Sequence, residues 1–179
     1  MSLSLALEGY AREKQEQWKY VDETIERIEK SSVQFSDNTL LNVIICHYYS
    51  MCKKKNIRFA ADIRKGTLDS LDCTEITSLI GNLLENAFEA VERERTEKDS
   101  FIEISVTKVP SSKRVLISTI NSCLTNPYNT GKLVYRKGNS NHGIGLKSIK
   151  KTVKLYKGQL NMYYDENEKV FHSLVILFE

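Results

Sequence analysis

A two-layer α/β sandwich, with a mixed sheet covered by helices on one face and an N-terminal helix ahead of it, is the fold class the sequence predicts. Three observations carry that reading. The elements run helix, helix, strand, helix, strand, strand, loop, helix, strand, strand, an order that packs as helices over a sheet. Residues 74–95 place Ile76, Leu79, Ile80, Leu83, Leu84, Ala87 and Val91 on one broad face, the pattern of a helix buried along one side. The 179 residues, 41% hydrophobic with two prolines, are enough for one full core and exclude disordered, collagen-like and disulfide-scaffold chains.

Each element has its own local signal. In residues 5–30, Trp18, Val21, Ile25 and Ile28 recur at alternating steps of three and four, a narrow stripe suited to pairing with another helix. The charges around that stripe read as a solvated face. Residues 31–36 interrupt this helix, and Ser36 or Asp37 can cap a second, running through Leu40, Leu41, Ile44, Ile45 and Tyr48 to about Lys54. Residues 57–63 alternate as a strand, and Gly66 signals a turn. Thr74, with Ser70 and Asp72 nearby, opens the periodic helix. Residues 101–108 and 114–121 form strands linked across Pro110-Ser111-Ser112. Residues 122–142 are rich in Asn, Gly and Thr and lack periodicity; such a connection within a compact domain is a functional loop or disordered. A third helix begins near His142, with Leu146, Ile149, Val153 and Tyr156 inward, and Gly158 ends it. Residues 159–164 and 170–178 supply the last hairpin. The domain division expected is a helical region at 1–36 and one α/β domain at 37–179.

The net charge of +3 is too small to argue for nucleic acid or an anionic membrane as partner. Its distribution says more. Lys132, Arg136, Lys137, Lys147, Lys150, Lys151, Lys154 and Lys157 fall in one segment without a single acid, leaving 18 cations against 23 acids elsewhere, a balance of −5. Cys46, Cys52, Cys73 and Cys123 show neither CxxC pairing nor metal-ligand spacing with the three histidines, so a reducing, cytoplasmic setting is expected. The longest strongly apolar stretch, residues 40–46, is broken by Asn42 and falls far short of the ~20 residues of a membrane span. A secretory signal is also missing from the first residues.

Asn82 and Asn86 lie one turn apart on the central helix, beside Glu85 and Glu89 and opposite the apolar stripe. Asparagine favours caps and turns, so two in mid-helix need a reason. They either hydrogen-bond a neighbouring loop or face water, or they form an oxygen-rich face for a hydrated Mg²⁺, an ion that takes one or two protein oxygens and completes its shell with waters and phosphates. At His142-Gly143-Ile144-Gly145-Leu146, two glycines precede a helix whose N-terminal N–H groups and dipole suit a phosphate. The surrounding cations favour an anionic ligand there, although Lys151 and Lys154 also fit a simple solubility face. No P-loop, eukaryotic protein kinase set or Rossmann fingerprint is present.

Together, Asn82-Leu83-Leu84-Glu85-Asn86-Ala87-Phe88-Glu89-Ala90 and His142-Gly143-Ile144-Gly145-Leu146-Lys147-Ser148 resemble the N box and second glycine box of the GHKL ATPases. Within that superfamily the pattern is most similar to the catalytic domain of AgrC-like sensor histidine kinases, over residues 37–179. The resemblance implies a Bergerat-type sandwich that binds ATP and Mg²⁺. Asn86 would be the Mg²⁺ ligand, with Asn82 facing the phosphates and Glu89 on the same helix face. His142, Gly143, Ile144, Gly145 and Leu146 would line the triphosphate, with Lys132, Arg136 or Lys137 of a mobile ATP lid as phosphate contacts. Gyrase-type members carry a water-activating Glu where Asn82 stands. An amide is no general base, which favours phosphoryl transfer over hydrolysis.

The pattern is broken in two places. Where the first glycine box normally places an Asp to accept the adenine amino group, this chain has Thr119-Ile120-Asn121-Ser122-Cys123-Leu124. Asn121 could accept through its amide oxygen or could simply end the strand. His47, late on the second helix, lacks the acidic neighbour of a phosphoacceptor. The resemblance therefore implies an acceptor His and any membrane sensor upstream of residue 1, with residues 5–30 as part of a homodimerisation region at the cytoplasmic face of the membrane. It further implies a response regulator as partner, and no nucleic acid. An interaction module with a degenerate nucleotide site, or an ATP-hydrolysing GHKL protein, are the competing expectations.

Overall fold

In the computed structural model, the chain divides into two compact units, Met1–Gln34 and Phe35–Glu179. The structure describes residues 34–94, 100–109, 112–129, 132–133 and 142–178, so the helix expected over 5–30 lies outside the described residues.

The second unit opens with α1 (Thr39–Lys54), whose N-cap is Asn38, its side chain accepting from Leu41 N. Ser36 and Asp37 are thus one or two residues too early. Ser36 Oγ accepts the Asn38 N–H at 3.1 Å, while Asn42 Oδ1 accepts those of Phe35 and Ser36. The helix closes in a Schellman motif: Ile57 N donates to Cys52 O, Asn56 N donates to Lys53 O, and Asn56 takes φ 53°. Chain direction reverses there into β1 (Arg58–Ile63).

A helical run follows in three parts. The short α2 (Cys73–Ile76) starts with a capping box between Asp72 and Glu75, a π-helical turn covers Thr77–Gly81, and α3 spans Asn82–Arg93. The periodic face survives the π turn: Ile76, Leu79, Ile80, Leu83, Leu84, Ala87 and Val91 are all buried. After β2 (Phe101–Val109) and β3 (Arg114–Ser122) comes a two-stranded ribbon, β4 (Tyr128–Asn129) with β5 (Lys132–Leu133). Within the stretch expected to be irregular, this ribbon is regular structure. Helix α4 (His142–Leu155) leads into the β6 (Gln159–Asp165) and β7 (Val170–Phe178) hairpin.

The sheet order is β1-β2-β3-β7-β6, with β1 and β2 parallel and every other pair antiparallel. Alternating burial along β2 and β3 shows one sheet face covered and the other half-open. On the covered face Val106, Ile117 and Val175 line up in register, as do Ile104, Thr119 and Ser173. Helix α3 packs on β2 and β3, α4 on α3 and the β6–β7 hairpin, and α1 on β1 and the π turn. This is the mixed-sheet sandwich expected, with its core between the layers.

The end of α4 departs from expectation in detail. Lys157, not Gly158, takes the left-handed φ of 50°, and Gly158 N donates to Val153 O at 2.8 Å. Glycine is needed at 158 because a Cβ there would sit 2.2 Å from Ile176 O. Close backbone approach selects the residue, not φ.

Candidate functional site

The π turn explains the first mid-helix asparagine. The Asn82 N–H reaches Leu79 O rather than its ordinary α-helical acceptor, Ser78 O. The side-chain Nδ2 of Asn82 donates to that Ser78 carbonyl instead. Its amide is thereby oriented by the backbone turn, and single π turns recur at functional sites. The oxygen faces away, toward α4: a Cβ built at Gly145 would lie 2.8 Å from Asn82 Oδ1. Two segments 63 residues apart in the sequence (145 − 82) therefore meet at an asparagine oxygen and a glycine without a side chain.

Asn86 lies one turn further along α3 and is half-buried, as is Glu89. Glu85, between them, is exposed and accepts from the Tyr48 hydroxyl of α1. Tyr48 also lies 3.4 Å from Gly81 O and packs its ring near Phe88, bracing the π turn from the α1 side. Beside it, His47 is half-buried, and burial lowers its pKa, with Glu85 acting in the opposite direction. At the other end of α4, the Tyr156 hydroxyl reaches Glu75 Oε2 at 2.5 Å and Ser70 O at 3.0 Å. That contact ties α4 to the capping box that starts the helical run.

Asn121 sits on the covered face of β3, 3% exposed, next to Ile102 and Phe171 in the sheet register. Its Nδ2 donates to Ser122 O at 3.0 Å. Thr119 and Ser173, both buried, face each other one register step away. The covered face thus turns polar toward this end of β3. Cys123, next in line, is buried; desolvation, with Glu94 nearby, pushes its thiol up to about 11.

The remaining expected residues are placed as follows. His142, Gly143 and Ile144 form the first turn of α4, and Leu146 follows Gly145 half-buried. Lys132 begins β5. Arg136 and Lys137 lie outside the described residues. The structure joins Asn82 with Gly145, holds Asn86 and Glu89 on the same helix, and sets Asn121 in the sheet under that helix layer. Sequence reasoning did not single out Tyr48, Thr119, Ser173 or Glu94. Tyr48 and Glu94 act through contacts with distant elements, and Thr119 meets Ser173 only through strand pairing, so none of them carries a local sequence signature.

None of the four cysteines is in a disulfide, and the described residues hold no group of three or more His, Cys, Asp or Glu able to bind a metal. The amide oxygens of Asn82 and Asn86 are donors of the kind that suits a Mg²⁺ carried by a polyphosphate. No helix among the described residues is long and apolar enough to cross a membrane.

These features define an α/β sandwich in which the glycine-bearing start of α4 meets Asn82 of the helix layer and the covered sheet face turns polar at the end of β3. The chain belongs to the GHKL domain family, whose model matches residues 71–177. Its structure is similar to the catalytic domain of the histidine kinase ThkA (21% identity, TM-score 0.57, covering 81% of this chain and 94% of that one). It is similar also to the mycobacterial sensor histidine kinase MprB (12%, TM-score 0.54, 75% and 92%). A further likeness is to the Acinetobacter baumannii histidine kinase AdeS (10%, TM-score 0.53, 93% and 79%). At these identities the likeness is one of fold. No curated protein matches the chain.

Proposed function

We propose that this domain binds Mg·ATP and acts as the kinase part of a two-component sensor, passing the γ-phosphoryl group to a histidine outside this chain. The observation that carries the proposal is Gly145 set against the oxygen of Asn82, a close approach of the two helices that supports reading them as one phosphate site. When bound, Mg²⁺ would neutralise charge on the β- and γ-phosphates. Asn86 would hold it, the backbone N–H groups opening α4 would bind phosphate oxygens, and Lys132, Arg136 or Lys137 would be further phosphate contacts. Asn121, its nitrogen tied to Ser122 O, presents the oxygen that would accept the adenine amino hydrogen. Asn82 cannot take a proton from water, and its nitrogen is already engaged, which favours transfer to a protein over hydrolysis. In the same reading residues 1–36 belong to a homodimerising helical region, and the acceptor histidine, a membrane sensor and a response regulator complete the system at the cytoplasmic face of the membrane.

Titration calorimetry with Mg·ATP at up to millimolar concentration tests binding; absence of both heat and competition overturns the reading. A second reading, an interaction module with a degenerate nucleotide site, is favoured by the amide at 121 in place of a carboxylate. Phosphorylation of a supplied dimerisation domain separates the two. Asn86→Asp abolishes transfer under the kinase reading and leaves partner binding intact under the module reading.

A further inference from the structure

The structure assigns a positioning role to Glu94, a residue in neither sequence box. Glu94 caps the end of α3, and its Oε2 accepts the backbone N–H of Leu124 at 2.8 Å and of Thr125 at 3.1 Å. These residues follow Asn121 by three and four positions. From the opposite side, Cys123 N donates to Lys169 O at 2.8 Å, the Tyr164 hydroxyl to Leu124 O at 3.3 Å, and the Tyr128 hydroxyl to Met162 O at 2.6 Å. Residues 123–128 are therefore held between the end of α3 and the β6–β7 hairpin.

One carboxylate oxygen accepting two successive N–H groups makes charge-assisted bonds, which are shorter and stronger than neutral ones. It fixes the direction in which the chain leaves β3, and with it the placement of Asn121 just upstream. The same helix carries Asn82 and Asn86. From Asn86 to Glu94 the helix rises by about 12 Å, so a single rigid element sets the separation between the phosphate end and the strand end of the site. Glu94 positions the base-contacting segment and touches no substrate itself. This inference rests on the ATP reading for its functional consequence, though the restraint on residues 124 and 125 is independent of it.

The test uses the full chain. Glu94→Ala should weaken Mg·ATP binding about tenfold while leaving binding of Mg²⁺ with inorganic tripolyphosphate, which has no base, within about twofold. Glu94→Gln, which keeps an oxygen acceptor, should recover most of the ATP affinity. Hydrogen exchange at the Leu124 and Thr125 amides should accelerate in Glu94→Ala more than exchange in the core of α3. Equal loss of ATP and tripolyphosphate binding, or unchanged ATP affinity, overturns the positioning role. If the wild-type chain binds no Mg·ATP, the nucleotide reading fails. The exchange measurement then decides the restraint alone, and unchanged exchange at 124 and 125 overturns it.

Discussion

The two ends of the candidate site are built by different means. At the glycine end, geometry comes from within helices: a π turn orients Asn82, and Gly145 makes room for its oxygen. At the strand end, Asn121 sits in a sheet among buried hydroxyls, and the chain beyond it is held by contacts from Glu94, Tyr164 and Tyr128. The first end depends on residue types at fixed spacing and so leaves a motif. The second depends on contacts between distant elements, and these can change partners without leaving one.

Substitutions at the two ends are therefore expected to differ in kind. Asn86→Ala should have the largest effect, lowering transfer to a supplied acceptor domain by a hundredfold or more, about 2.7 kcal/mol of barrier, with thermal stability nearly unchanged; retained transfer would place the metal elsewhere. Gly145→Ala comes next. The added methyl must displace an amide already bonded to Ser78 O, an overpacking cost of about 1–3 kcal/mol, so calorimetry should show ATP and tripolyphosphate affinity falling together. Asn121→Ala should cost ATP about tenfold, roughly the 1–2 kcal/mol of a lost hydrogen bond, while sparing tripolyphosphate. Loss of both ligands in that variant would erase the distinction between the ends.

The smallest effect expected is that of pH. Amides do not titrate, so ATP affinity should stay flat from pH 7 to 9. Stability should not. His47 has a folded pKa below its ordinary 6.5 because it is half-buried. The unfolded chain therefore binds that proton first, and stability should decline as pH falls through 6.5 toward the folded value. In the alkaline direction Cys52, pushed up to about 12 by burial, and Cys123 ionise first in the unfolded chain, so stability should decline above pH 9. Unfolding midpoints across pH 5–10 check both limbs.

Much of the architecture was legible because it rests on periodicity. The buried face from Ile76 to Val91 was readable residue by residue, and the sheet strands emerged within a residue or two of their bounds. Details set by competition between similar groups were less so. Ser36, Asp37 and Asn38 are all good caps, and which one serves depends on where the Asn42 side chain binds the preceding N–H groups. The π turn was invisible because inserting it leaves the apolar face continuous. Glu94 has no signal of its own in the sequence, since its partners lie 30 and 31 residues downstream.

The parallel pairing of β1 with β2 has a consequence for how the protein comes into being. Two parallel neighbours cannot be joined by a tight turn, and here the return path between them is the helical run that carries Asn82 and Asn86. Pairing β1 with β2 closes that run into a long loop, so the event that adds the edge strand also brings Asn82 and Asn86 onto the sheet. Contacts so far apart along the chain slow folding. During synthesis the candidate site can form only after α4 has emerged, and a chain arrested just past β2 would carry both asparagines without Asn121 or Gly145.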